Sequence, residues 1–135
     1  MAKPVRVRVE ILHRMLDEAR RTPQEECCGL LGALSGIISG IFPARNAQAS
    51  RTAYEIAPEE LFPLMRRLRA AGLVLAAIYH SHPGGDNAPS PLDVERAYYP
   101  EAAYFILSPL PESLRPVRAF SIHNGRVTEL TIEPA

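Results

Sequence analysis

The chain has 135 residues, 47% of them hydrophobic, and its fifteen basic and fifteen acidic side chains leave no formal net charge. That length and apolar share suit one compact domain with one core, spanning 1–135. Neutrality without a Lys/Arg cluster among aromatics argues against a nucleic-acid surface. No apolar stretch reaches membrane-spanning length.

The stretch Met1 to Arg8 alternates polar and apolar residues and lacks the apolar core of a signal peptide, so a soluble cytoplasmic protein is expected. Val5 to Val9 reads as an edge strand. Ile11, Leu12, Met15, Leu16 and Ala19 then follow helical spacing over about three turns. Cys27 to Leu34 and Gly36 to Phe42 read as two strands joined by a tight turn at Ser35 and Gly36. Pro43 to Arg51 is a loop and Thr52 to Ile56 a short strand. Pro58 opens a second helix running to about Ala71. Pro63 inside it costs about 3 kcal/mol and predicts an irregular first turn. Leu73 to Tyr79 is nearly all apolar, as expected of a central strand covered on both faces. A short helix from Ser90 to Tyr98 follows a loop rich in Gly, Pro and Asn. Ala103 to Leu107, Val117 to Ile122 and Arg126 to Ile132 complete the sheet, the last two through a hairpin at Asn124 and Gly125. The expected fold class is thus α/β of the α+β kind, a mixed and mostly antiparallel sheet flanked by three helices.

Cys27 and Cys28 are the only cysteines. A disulfide wants Cα atoms about 4.4–6.8 Å apart, whereas consecutive ones lie about 3.8 Å apart. Reduced thiols acting as small buried hydrophobes are the better expectation. Arg66, Arg67 and Arg69 read as the polar side of the second helix.

The residues that carry chemistry follow the central strand. His80, His82, Ser90 and Asp93 form the pattern H-x-H-x7-S-x2-D. His80 and His82 alternate with Ser81, so an extended backbone projects both rings from one face. Two imidazoles and a carboxylate are three ligands that zinc accepts, with a fourth tetrahedral position left for water. A purely structural reading competes. Ser90 to Asp93 is also a capping box with Pro91 at the first helical position, and on that reading Asp93 caps amides and binds nothing. Both readings hold together if the helix start aims Asp93 at the metal. Upstream, the stretch Pro23 to Gly32 places a carboxylate, Glu25 or Glu26, at the head of a buried-looking strand, and a zinc hydrolase needs such a group to accept and return a proton.

With Glu26-x-x-Gly29-Leu30-Leu31-Gly32, the block Leu73 to Pro83, and the Ser90/Asp93 pair, the chain resembles the JAMM (MPN+) metalloprotease family. Order and spacing fit its small prokaryotic members over nearly the whole length. The resemblance implies the JAMM/MPN, cytidine-deaminase-like fold. It implies one zinc per chain on His80, His82 and Asp93, with Glu26 as general acid/base and Ser90 stabilising the tetrahedral intermediate. The family register, with Glu three residues before the glycine, selects Glu26 over Glu25. The implied reaction is attack by a Glu-activated, zinc-bound water on the bond after the C-terminal Gly-Gly of a ubiquitin-like or sulfur-carrier protein, as a peptidase or isopeptidase. The substrate tail would add as an extended strand beside the site. A homodimer is left open.

The alternative is a catalytically silent MPN-type scaffold, which would have little reason to keep all five site residues together. A zinc nucleoside deaminase would need a P-C-x-x-C pair that is absent here. A serine hydrolase would need a G-x-S-x-G elbow, also absent.

Overall fold

In the computed structural model, residues 3–135 are described, so the first two positions of the Met1–Arg8 stretch lie outside the described residues. The order is β1 (Val5–Val7), α1 (Val9–Arg21), β2 (Cys28–Leu34), β3 (Ile37–Ala44), α2 (Pro58–Ala70), β4 (Val74–Ser81), α3 (Pro91–Glu95), β5 (Ala103–Leu107), β6 (Val117–His123), β7 (Arg126–Leu130) and β8 (Ile132–Pro134). The strands form one sheet in the order β7-β6-β5-β4-β2-β3-β1-β8. β2 pairs antiparallel with β3 and β4, as β6 does with β5 and β7, while β1–β3, β1–β8 and β4–β5 are parallel. The mixed α+β class expected from the sequence is what the molecule shows, with antiparallel pairing in a narrow majority.

β7 and β8 occupy opposite edges of this sheet yet are separated in sequence by Thr131 alone. Two Cα–Cα steps span at most about 7 Å, so the sheet curls until its edges nearly meet. The curl wraps around α1. Its buried stripe of Ile11, Met15 and Ala19 joins Leu31, Tyr79, Phe105 and Leu107 in one core, with Leu130 and Ile132 from the two edges packed against it. α2 covers the opposite face through Leu64 and Leu68, which meet Leu30, Ile78, Tyr104 and Ile106.

Several expectations are corrected. β1 is flanked by both β3 and β8, so it is interior and β8 takes the edge. Thr52 to Ile56 forms no strand, and the segment folds back on itself through a hydrogen bond from Ala47 N to Glu55 O. The expected strand Arg126 to Ile132 is broken at Thr131, because its last residues cross to β1. β4 runs through His80 and Ser81 instead of stopping at Tyr79, and α3 ends at Glu95. α2 continues unbroken across Pro63, which lies on the exposed face where water can serve the carbonyl left without a donor. Its first turn does tighten, with Glu60 N and Leu61 N both donating to Ala57 O.

The turns behave as read. Ser35/Gly36 and Asn124/Gly125 have φ of 51° and 80°, and 51° and 78°, the pair of left-handed residues that a two-residue hairpin demands.

Candidate metal centre

The site forms where β2 begins and β4 ends. Cys28 lies opposite His80 across the β2–β4 pair, and Ile106 flanks His80 from β5. Side chains alternate, so Cys28, Leu30, Ile78 and His80 share the α2 face while Cys27, Tyr79 and Ser81 face α1. Ser81 ties the strand ends together: its hydroxyl accepts from Cys27 N (2.8 Å) and its amide donates to Cys27 O (3.0 Å). His82 stays in line because its amide bonds Leu107 O (2.8 Å). Ser90 caps α3, its hydroxyl accepting from Asp93 N (3.0 Å) while its own amide donates to Asp93 Oδ2 (2.9 Å). The capping box is therefore real, and it turns the Asp93 carboxylate towards the two histidines.

His80 Nε2 lies 3.2 Å from His82 Nε2 and 3.2 Å from Asp93 Oδ1, and His82 Nε2 lies 3.0 Å from Asp93 Oδ2. The Glu26 carboxylate joins them, with one ligand atom from each of the four residues inside a mutual 4.8 Å. Tetrahedral zinc with bonds of about 2.0–2.1 Å would set its ligands roughly 3.3 Å apart, close to what is seen.

Proton placement tests the fit independently. His82 Nδ1 lies 2.6 Å from Asp86 O, a carbonyl that can only accept, so the network assigns the proton to Nδ1. The neutral ring then aims the Nε2 lone pair at a carboxylate oxygen and at His80 Nε2. Converging lone pairs repel unless a positive charge, a metal ion or a proton, stands between them. The donor set fits a divalent metal.

Without an ion in the cluster, protons on the imidazole nitrogens take the cation's place beside Asp93. Burial pushes the Glu26 carboxyl up to about 8, with His82 opposing and Asp93 adding to the effect. Burial alone would also raise Asp93, yet hydrogen bonds from His80 and His82 hold it well below the usual carboxylate range. Burial lowers His80 against the pull of Asp93. His82 is raised, because its bonds to Asp93 and to the Asp86 carbonyl outweigh desolvation.

The structure thus brings Glu26, His80, His82 and Asp93 together, and places Ser90 next to Asp93. Glu26 is 3% exposed and its Oε1 has no hydrogen-bond partner among the described residues, whereas Glu25 is half-buried. Strand β2 begins at Cys28, one residue later than the expected Cys27, so Glu26 lies just ahead of the strand. Cys28 shares the site's face but its thiol points to Ala44 O at 3.8 Å. Both cysteines are free and buried. Three participants were not foreseen from sequence: the Asp86 carbonyl on His82, the Tyr54 ring stacked on His80 with centroids 4.4 Å apart, and Asn46 behind them. No local pattern marks any of the three.

The profile of the family described as prokaryotic homologs of the JAB domain matches residues 8–123. The chain belongs to that family. The JAB-domain assignment agrees with the resemblance drawn from the motif and covers strands β2 to β6 and all three helices, leaving out β1, β7 and β8. Among its relatives is the desampylase of Haloferax volcanii, 37% identical over 105 residues, 76% of each chain. The CysO-cysteine peptidase of Mycobacterium tuberculosis is 32% identical over 125 residues, 91% of this chain and 86% of that one. A protein of Desulfitobacterium hafniense with a known solution structure is similar at a TM-score of 0.84 and 28% identity, covering 96% of this chain and 91% of the other. Among the described residues no helix is long and apolar enough to cross a membrane.

Proposed function

We propose that this JAB-domain chain is a zinc-dependent peptidase or isopeptidase that hydrolyses the bond after the C-terminal Gly-Gly of a ubiquitin-like or sulfur-carrier protein. His80, His82 and Asp93 hold one zinc per chain, Glu26 is the general acid/base, and Ser90 donates to the oxyanion. The observation that carries this reading is the convergence of three metal-donor groups with a buried, unpartnered carboxylate in front of them. The desampylase and CysO-cysteine peptidase relatives support the choice of substrate class.

Zinc held there would supply Lewis acidity, lowering the pKa of a water and polarising the scissile carbonyl. Everything else falls to the chain. Glu26 sits where burial raises its proton affinity, so near neutral pH it can take a proton from the attacking water and deliver it to the leaving amine. The Ser90 hydroxyl uses one lone pair for the cap and keeps its proton free to donate toward charge developing on the carbonyl oxygen. Asp86, through its carbonyl, fixes the His82 tautomer that leaves Nε2 free for the metal.

The reading treats 1–135 as one domain and places it in the cytoplasm, supported by two free, buried cysteines. A homodimer is compatible with it and not required, and light scattering decides the point. The test is direct. Metal-loaded protein is incubated with adducts joining a Gly-Gly-ending ubiquitin-like or sulfur-carrier protein to a lysine or cysteine. Mass spectrometry should find the freed Gly-Gly terminus. Intact adducts at full metal occupancy would refute hydrolysis and leave a scaffold.

A further inference from the structure

Asn46 is 3% exposed and stands outside the metal cluster, yet its carboxamide is fully used. Nδ2 donates to Glu26 O (3.1 Å) and Ala53 O (2.8 Å). Oδ1 accepts from Gln48 N (3.0 Å) and Glu55 N (3.1 Å). The orientation is forced, since a flipped amide would set its NH2 against two backbone N–H groups. One side chain therefore grips both neighbours of Tyr54 and the backbone of Glu26 itself.

Those two attachments reach two members of the metal centre, Glu26 directly and His80 through Tyr54. Glu26 is held a second time through its amide, which donates to Ser50 O at 2.7 Å, so the loop from Asn46 to Glu55 brackets it from both directions. Tyr54 lies on the His80 ring with an interplanar angle of 21°. His80 Nδ1 is buried and has no hydrogen-bond partner among the described residues. A metal-binding histidine is usually oriented by a bond from its second ring nitrogen. Here no side chain or carbonyl among the described residues supplies that bond, and the stacked Tyr54 packs against the face of the ring.

We propose that Asn46 is a positioning residue: its four hydrogen bonds lock Glu26 and the Tyr54 ring into one register, keeping the Glu26 carboxylate and the His80 imidazole correctly placed relative to each other. The inference rests on the hydrolase reading for its kinetic arm and on the donor geometry alone for its spectroscopic arm. A buried asparagine that merely fastens a loop would affect stability and leave both arms unchanged.

Asn46→Ser shortens the side chain without adding charge and cannot span all four partners. The full-length, cobalt-loaded variant should show a visible absorption spectrum shifted from that of the wild type, reporting a displaced His80. Zinc-loaded and assayed well below its melting temperature, it should lose about 10–100-fold in kcat with KM within about three-fold, the scale of a small misplacement. In a Glu26→Gln background the same substitution should cost less than about three-fold, because the carboxylate it positions is gone. If Asn46→Ser does not fold, Asn46→Asp, which keeps both acceptor bonds, goes through the same cycle. An unchanged cobalt spectrum with kcat within about three-fold of wild type would overturn the proposal. So would a kcat loss of equal size with and without the Glu26 carboxylate. A wild type that cleaves no Gly-Gly adduct would refute the hydrolase reading, while the cobalt spectrum would still decide whether Asn46 holds the site.

Discussion

Two adjacent glutamates differ sharply in their surroundings, and this makes the proton shuttle testable at single-residue resolution. Glu26 faces the donor cluster from a buried position while Glu25 is half-buried. Glu26→Gln should keep zinc and fold but lower kcat by about 10²–10⁴-fold, with Glu25→Gln staying within a few-fold. The reverse pattern in steady-state kinetics would show the wrong glutamate chosen. Metal analysis offers a second check: wild type should carry about one zinc per chain, and His80→Ala, His82→Ala and Asp93→Ala should lose most of it. Full zinc retention in Asp93→Ala would reduce that residue to a cap. The motif made these side chains legible because a metal's demands, donor type and alternation along a strand, are written in local spacing. Tyr54 and Asn46 escaped notice because they reach the site through loop closure, which leaves no periodic trace.

At the level of elements, α3 is where cap and chemistry share one hydroxyl. If Ser90 only caps, Ser90→Ala should cost about 0.5–2 kcal/mol of stability with kcat nearly unchanged. If it also donates to an oxyanion, kcat should fall by about 10²–10³-fold with little change in KM. We expect the kinetic loss, and normal kcat in folded, metal-loaded Ser90→Ala would rule it out. Strand β2 makes a different demand. A Cβ on Gly29 would lie 2.5 Å from the Tyr79 ring and 2.6 Å from Phe42 O, and Tyr79 cannot retreat because its hydroxyl donates to Glu18 Oε1 at 2.5 Å. Gly29→Ala should therefore destabilise by about 1–3 kcal/mol, visible as a lower melting temperature. A Gly29→Ala protein as stable as wild type would mean this packing is looser than it looks. Hairpins and both long helices could be read from turn chemistry and apolar spacing. Thr52 to Ile56 could not, since its alternation imitates a strand while its hydrogen bonds go to Asn46. The break at Thr131 was hidden for another reason: apolar alternation runs straight through a point where the chain changes partners.

For the molecule as a whole, the metal centre should govern how stability responds to pH. With metal removed by a chelator, Glu26 titrates near 8 folded against an ordinary 4.5 unfolded. The folded state then binds the extra proton, so stability should fall as pH rises from about 4.5 towards 8. Glu26→Gln removes that slope, and titrating groups beyond the reach of the Glu26 charge cancel in the comparison. Melting curves of the two metal-free proteins should separate in favour of Glu26→Gln by about 1 kcal/mol or more between pH 5 and pH 8, roughly 3–6 °C for a chain of this size. A constant gap across that range would refute the linkage.

The single residue between β7 and β8 has a mechanical corollary. An open sheet can fray from either margin independently, one strand at a time. Here Thr131 acts as a buckle on a hoop: releasing β8 from β1 slackens the tether on β7, and the closing residue Ala135 is fastened to β1 and α1 by the bonds Ala135 N to Val7 O and Val9 N to Ala135 O. Amide protons of β1, β7 and β8 should therefore exchange with solvent in a common opening event, although these strands lie on two sides of the sheet and one of them ends the chain.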